Sequence, residues 1–223
     1  MSRLIIAGLL LSLAATGCNE HKQSQETAAL HQKGARLKPI VTVVPVIDST
    51  KNDLPWNLSD EFTSTIDYRL ARNNDLYIVE PAKARAALKK IKESQNPFGT
   101  DIGWIKRTFS DEEFVVFLEL VEHEEVLRQD KKKPIDPKYC SADLNISMRV
   151  RVFDLRGEQP KVVLQELVHE SHFVPRQFTH INLHQALWGE DSFSISPMGL
   201  AHTEFTKQIA TRVEDYILLS ARQ

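Results

Sequence analysis

The sequence has two cysteines, Cys18 and Cys140, in 223 residues, which excludes the disulfide framework of a small secreted scaffold. It has no basic surplus either. Its 28 lysines and arginines stand against 30 aspartates and glutamates, for a formal net charge of -2, so the electrostatic footprint of a nucleic-acid binder is missing. No apolar run reaches the roughly 20 residues that an ordinary membrane-spanning helix needs. The phosphate-cradling patterns GxxxxGK[ST] and GxGxxG are absent, and so is the GxSxG of a nucleophile elbow; the eight glycines mark neither chemistry.

What is present begins at the N-terminus. Met-Ser-Arg precedes an apolar stretch from Leu4 to Ala15, followed by Thr16, Gly17 and Cys18. One positive charge, a short apolar core and small residues make a secretory signal over residues 1–17. Ala15-Thr16-Gly17-Cys18 resembles a bacterial lipobox, with alanine where leucine is usual. The resemblance implies that the Cys18 sulfur carries diacylglycerol, since only a thiol accepts that lipid as a thioether. Two or three acyl chains, at about 0.8 kcal/mol per buried methylene, would anchor the chain almost permanently. Asn19, where an aspartate would signal retention at the inner membrane, favours the outer membrane. Residues 18–38 are polar and read as a lipidated end and flexible tether.

Residues 39–223, roughly 185 of them, are enough for one domain with a sizeable core. The β-branched run Pro39 to Ile47 predicts a first strand, with Pro45 placing its end at an edge or a bend. Leu58, Phe62, Ile66 and Leu70 repeat every four positions and predict a helix capped by Ser59 and stopped at Asn73-Asn74-Asp75. Leu76 to Val79 reads as a strand, and Pro81 opens a second helix. A further short helix is expected around Ile102, Ile105 and Phe109. Three long strands follow, from about Glu113 to Leu127, Leu144 to Val152 and Lys161 to Phe173. In the middle one, Leu144, Ile146, Met148, Val150 and Val152 alternate with Asn145, Ser147, Arg149 and Arg151, which predicts one core face and one wet face. Ala201, Phe205, Ile209, Val213 and Ile217 form the stripe of a C-terminal helix. The fold class is therefore α/β (mixed α+β), one mixed sheet with helices packed on it, in the order β-α-β-α-β-β-β-α.

Candidate chemistry is thin. His169 and His172, with His180 and His184, Glu166 and Glu170, have the ligand types of a zinc site. His169-Glu170-Ser171-His172 is nevertheless one residue short of HExxH, and on a strand an offset of three sends the two rings to opposite faces. Glu119, Glu122, Glu124 and Glu125 beside His123 read as the solvated end of a strand. Asp48, at the end of the first strand, reads as a turn cap, and Lys131-Lys132-Lys133 as a charged hairpin loop. Trp56 and Trp104 fall in loops or at helix edges, and Cys140 reads as a lone, partly buried thiol. No catalytic residue, metal ligand or cofactor is assigned.

Three segments, IVTVVPVIDST, LSDEFTSTIDYRLARNN and DLYIVEP, resemble the family that includes the curli secretion lipoprotein and the outer-membrane lipoprotein activators of penicillin-binding proteins. The resemblance lies mainly in residues 39–92 and implies a protein-interaction domain without a catalytic site. Arg149 and Arg151 on the second face of the alternating strand would be costly against lipid, which argues against a membrane-inserted secretion pore. The expectation is a bacterial lipoprotein held to a membrane through Cys18 and acting by contact in an envelope complex for cell-wall synthesis or secretion. Its rivals are a metal-dependent periplasmic hydrolase using residues 169–184 and an oligomeric secretion component.

Overall fold

A computed structural model of the chain describes residues 37–92, 94–129, 136, 139–179 and 185–223. The expected signal segment (residues 1–17), Cys18, Lys131 to Lys133, His180 and His184 lie outside the described residues. Residues 39–223 form one compact unit.

The chain opens with β1 (Ile40–Val43) and β2 (Ile47–Asp48), two halves of one broken strand. Both run parallel to β4 (Phe114–Leu127), Val43 facing Val116 and Ile47 facing Glu119. Four steps on one side thus span three on the other, and the extra residue bulges at Val44-Pro45-Val46, where proline has no N–H to give a ladder. The Val46 N–H is satisfied instead by Thr63 Oγ1 at 2.8 Å.

Helix α1 (Leu58–Arg72) follows. Its cap is Asn57, whose side chain accepts from the Asp60 N–H at 3.2 Å. Ser59, expected to cap, is already in the first turn and donates to Val46 O at 2.5 Å. Asn74 ends the helix region at φ 61°, a left-handed conformation that asparagine tolerates better than most residues. Then come β3 (Tyr77–Ile78), parallel to β1, α2 (Pro81–Leu88) and α3 (Gly103–Thr108).

β4 pairs antiparallel with β5 (Ala142–Asp154), and β5 with β6 (Lys161–Val174). The sheet order is β3-β1-β4-β5-β6, with β2 also on β4. A 3-10 turn (Arg176–Phe178), the short α4 (Asp191–Ser194) and the long α5 (Pro197–Ala221) complete the chain. This is the mixed sheet with packed helices that the order of elements predicts. Among the described residues, no helix is long and apolar enough to cross a membrane.

Helices α1 and α5 cover one face of the sheet. Phe62, Ile66 and Leu70 from α1 meet Phe205, Ile209, Val213 and Ile217 from α5 over Phe114, Val116, Leu118, Ile146 and Met148. Each of these wholly buried side chains contributes about 1.5–3 kcal/mol.

The second face is only partly wet, a correction to the simple alternation. Around α3, Trp104, Ile105 and Phe109 pack on Val115, Phe117 and Phe153 in a second core. This explains the unbroken apolar run at the start of β4, which is covered on both faces there. Trp104 is buried, its Nε1 donating to Asp101 O at 3.0 Å. Arg151, expected in solvent, is buried too. It donates from Nη1 to Pro97 O at 2.9 Å and Gly99 O at 2.7 Å, and its guanidinium lies 5.1 Å from the Phe153 ring centroid. Arg149, farther along, remains on the open part of that face and pairs with Glu119 at 3.2 Å.

Candidate functional site

A buried polar chain crosses the helix-covered face of the sheet. It starts at Glu61 in the first turn of α1, where a carboxylate is favoured by the helix dipole. Glu61 is 3% exposed, so it needs partners on both oxygens, and it has them. Oε2 accepts from Trp56 Nε1 at 2.7 Å, and Oε1 lies 2.7 Å from His202 Nδ1. His202 sits in the second turn of α5, whose first turn is capped by Ser196 Oγ accepting from the Gly199 N–H at 3.0 Å. The other ring nitrogen of His202, Nε2, lies 2.8 Å from Nε2 of His123.

His123 reaches this position through an irregularity in β4. Leu120 pairs with Met148, but Glu122 pairs with Ser147, so Val121 is an extra residue. Side chains alternate along a strand, and one extra residue moves everything beyond it to the opposite face. His123 consequently turns toward α5 instead of outward. Burial, then the neighbouring charge of His202, pushes its pKa down to about 3. It is neutral at ordinary pH, and one proton must lie between the two Nε2 atoms, because two lone pairs or two N–H groups would repel at that distance. Phe62 and Phe193 enclose His202, with ring centroids 5.0 and 5.7 Å away, and Phe193 meets Trp56 edge-on at 5.1 Å.

Beside this chain opens a cavity of about 250 Å³, lined by Glu61, Thr65, Trp188, Asp191, Phe193 and His202 among others. The geometry limits what His202 can do there. Both its ring nitrogens are engaged, so the chain is built to lock the pre-α1 loop, α1, α5 and β4 together, and it offers no free imidazole nitrogen as a base.

The residues singled out by sequence are spread apart. His169 lies on the outer face of β6, with Nδ1 2.8 Å from Ser147 Oγ and 3.4 Å from Glu122. His172 projects on the other face beside Glu170, 3.1 Å away. The strand argument that separates these two imidazoles therefore holds. Glu119 takes a hydrogen bond from Ser49 Oγ at 2.8 Å, whereas Glu125 turns to the helix-covered side, beside Leu144 and Met198. Asp48 closes its own turn, accepting from the Thr50 N–H at 2.9 Å and Oγ1 at 2.6 Å. Cys140 is buried, with Sγ 3.7 Å from Asp136 O. Among the described residues, no three His, Cys, Asp or Glu side chains converge to hold a metal ion. Sequence reasoning passed over Glu61 and His202. Each directly adjoins a residue of an apolar stripe, Phe62 and Ala201, and that adjacency was the available signal.

Residues 26–221 match the model of a family of unknown function, DUF7499. No curated protein matches the chain. Among solved structures, the chain is similar to the hypothetical protein CT253 from Chlamydia trachomatis, with 26% identity and a TM-score of 0.63 over 81% of this chain and 98% of that one. Lipoproteins recur among the more distant structures. Lipoprotein GNA1162 from Neisseria meningitidis has 11% identity and a TM-score of 0.44, over 78% of this chain and 99% of that one. The C-terminal domain of LpoB from Salmonella enterica has 12% identity and a TM-score of 0.34, over 65% and 90%.

Proposed function

The chain belongs to the family of unknown function DUF7499, and from that starting point we propose that it is a lipid-anchored envelope protein that acts by contact, as a non-catalytic accessory module of a bacterial cell-wall or secretion complex. The observation that carries this reading is Ala15-Thr16-Gly17-Cys18, placed after a short apolar run and before a polar stretch that reaches the folded unit. Diacylglycerol on the Cys18 sulfur would tie the domain to a membrane, and Asn19 favours the outer one, facing the periplasm. A tether of about 20 residues, with a root-mean-square span of roughly 25 Å as a flexible chain, would set which partners the domain reaches.

Contact instead of chemistry is supported by the Glu61-His202-His123 chain. Its imidazoles are spent on each other and on a carboxylate, so the buried groups best suited to acid/base work serve to fix the helix layer on the sheet.

Metabolic labelling with palmitate in cells expressing the wild type and Cys18→Ala tests the anchor. The wild type should take up label and fractionate with membranes, while the variant should do neither; label retained by the variant would overturn the assignment. Crosslinking in intact cells tests the contact. Recovery of the chain alone, with no envelope protein attached, would count against an accessory role.

A further inference from the structure

We propose that the outer edge of β6 pairs with β6 of a second copy of this chain, antiparallel and centred on His169, so that two sheets join into one.

The two edges of the sheet are built differently. At one end, β3 is two residues long and Pro81 opens α2 shortly after it. So short a strand presents almost no ladder to another chain. At the other end, β6 runs for 14 residues. It pairs with β5 along its length, and among the described residues no backbone group of β6 is bonded on the side away from β5. Every second residue of an antiparallel strand turns its N–H and C=O away from its neighbour, so this edge carries a row of unused donors and acceptors.

Edge strands that stay in water are blunted by proline, lysine, bulges or inward charges. In β6 the only lysine is its first residue, Lys161, and proline arrives after its end, at Pro175. Its bulge is at Val163, since Val152 pairs with Leu164 and Phe153 with Val162. Leu164 to Val174 is therefore regular strand, about 34 Å long, with no proline, glycine, lysine or arginine. Glu166 and Glu170 do point toward the helix layer, but each is met within its own subunit. Arg212 reaches Glu166 at 3.0 Å, and His172 lies 3.1 Å from Glu170. An approaching strand thus meets no unmatched carboxylate.

Apolar side chains flank this edge on both faces. On the open face, Leu167 is 61% exposed and Phe173 53%. On the other, Arg212 of α5 marks the side of the helix that overlooks β6. Tyr216 and Leu219, four and seven residues further on, share that side, and both are exposed. A two-fold pairing at β6 would bring the two α5 helices alongside each other and cover these residues.

Symmetry within the strand selects both the occupant and the register. An isologous contact needs a surface complementary to itself. The midpoint of Leu164 to Val174 is His169, so two copies of the regular segment overlap completely when His169 faces its counterpart. Glu166 then stands opposite His172 of the second copy, at both ends, and Leu167 opposite Ser171. Centring on Val168 would instead set Glu166 against Glu170 twice, a like-charge pairing. Centring on Leu167 would carry the Val163 bulge into the ladder and shorten it.

The test is sedimentation equilibrium of the full chain in excess non-ionic detergent micelles, with cysteine cross-linking to read the register. The wild type should show a concentration-dependent dimer. Leu167→Lys, which places the blunting residue on the edge twice per dimer, should weaken it by about tenfold or more. Tyr68→Lys, at an equally exposed position on α1, should not. His169→Cys should give a disulfide-linked dimer on mild oxidation, because directly opposite residues have Cβ atoms about 4.5–5.5 Å apart, near disulfide reach. Copies of Leu167→Cys would stand four residues out of register and should cross-link no more than the wild type, whose own cysteines set the background. Leu167 and His169 are both exposed, so these variants should fold. A chain that is monomeric at every concentration, a dimer indifferent to Leu167→Lys, or a His169→Cys yield no higher than that of Leu167→Cys overturns the proposal.

Discussion

His123 and His202 meet nitrogen to nitrogen at 2.8 Å, one from the sheet and one from the C-terminal helix. Neither could be there without a local departure from regular structure. The bulge at Val121 turns His123 inward, and the close approach of Gly199 to Phe193 sets where α5 begins. The pair is thus a sensitive reporter of how the helix layer sits on the sheet.

The first prediction concerns acid. Folding lowers the pKa of His123 to about 3, whereas in the unfolded chain it returns to about 6.5. Between these values the unfolded chain binds a proton that the native state refuses, so stability rises with pH across the window. The contribution is fully present above about pH 6.5 and is lost as pH falls toward 3. The slope from this one group approaches at most about 1.4 kcal/mol per pH unit. Urea unfolding at pH 7 and pH 5 should show a larger loss for the wild type than for His123→Gln, which keeps a polar contact to His202 but does not titrate. Equal losses would mean that His123 is not held neutral.

Asp67 should behave in the opposite sense. Its Oδ1 is buried without a partner in α1, and burial raises its pKa to about 7, with the charge of Arg85 offsetting part of the effect. Between the unfolded value of about 3.9 and 7 the native state holds the extra proton, so this group makes stability fall as pH rises. Asp67→Asn removes the titration while keeping the shape. The variant should gain on the wild type as pH goes from 4 to 8 and exceed it by at least about 1 kcal/mol at pH 8, the lower end of the penalty for a buried unpaired polar group. A variant less stable than the wild type at pH 8 would show that the carboxylate has a partner worth keeping.

These two titrations also show what the sequence could and could not reveal. The stripe of α5 and the alternation of β5 were legible because their periods, near four and two, are imposed by backbone geometry alone. Those periods gave the element order and the helix-covered core. The covering of the second face by α3 was not legible in β5, whose Arg149 and Arg151 look alike in sequence. Their fates differ because Arg151 reaches the Pro97 and Gly99 carbonyls beneath that turn, whereas Arg149 meets the turn only at the Phe98 ring and stays exposed. The better signal was the run Phe114 to Leu118, which has no wet positions and belongs to a strand buried on both faces. The inward turn of His123 was hidden because a bulge has no fixed composition. Asp67 was hidden for a simpler reason: an aspartate in the middle of an amphipathic helix reads as solvent-facing.

The last prediction tests the hinge of the whole arrangement. Gly199 sits in the first turn of α5, and a Cβ built there would overlap Phe193 O and lie 2.8 Å from Phe193 C. Both are backbone atoms, so no side chain can swing aside; either the α4-α5 junction opens or α5 moves. Ser196 resists either motion, since its Oγ both accepts from the Gly199 N–H and donates to Phe193 O at 2.7 Å. Gly199→Ala should therefore destabilise the fold by about 2 kcal/mol or more, in the range for overpacking with backbone displacement. Gly157→Ala is the comparison, because its added methyl would meet nothing nearer than Gln159 O at 3.7 Å and should change stability by no more than about 0.5 kcal/mol. Since Phe193 packs on both Trp56 and His202, the displacement should also loosen the Glu61-His202-His123 chain, and the difference in acid sensitivity between His123→Gln and its parent should shrink in the Gly199→Ala background. Gly199→Ala matching Gly157→Ala in urea unfolding would show that the junction is slack, and that the two histidines owe their register to something other than this contact.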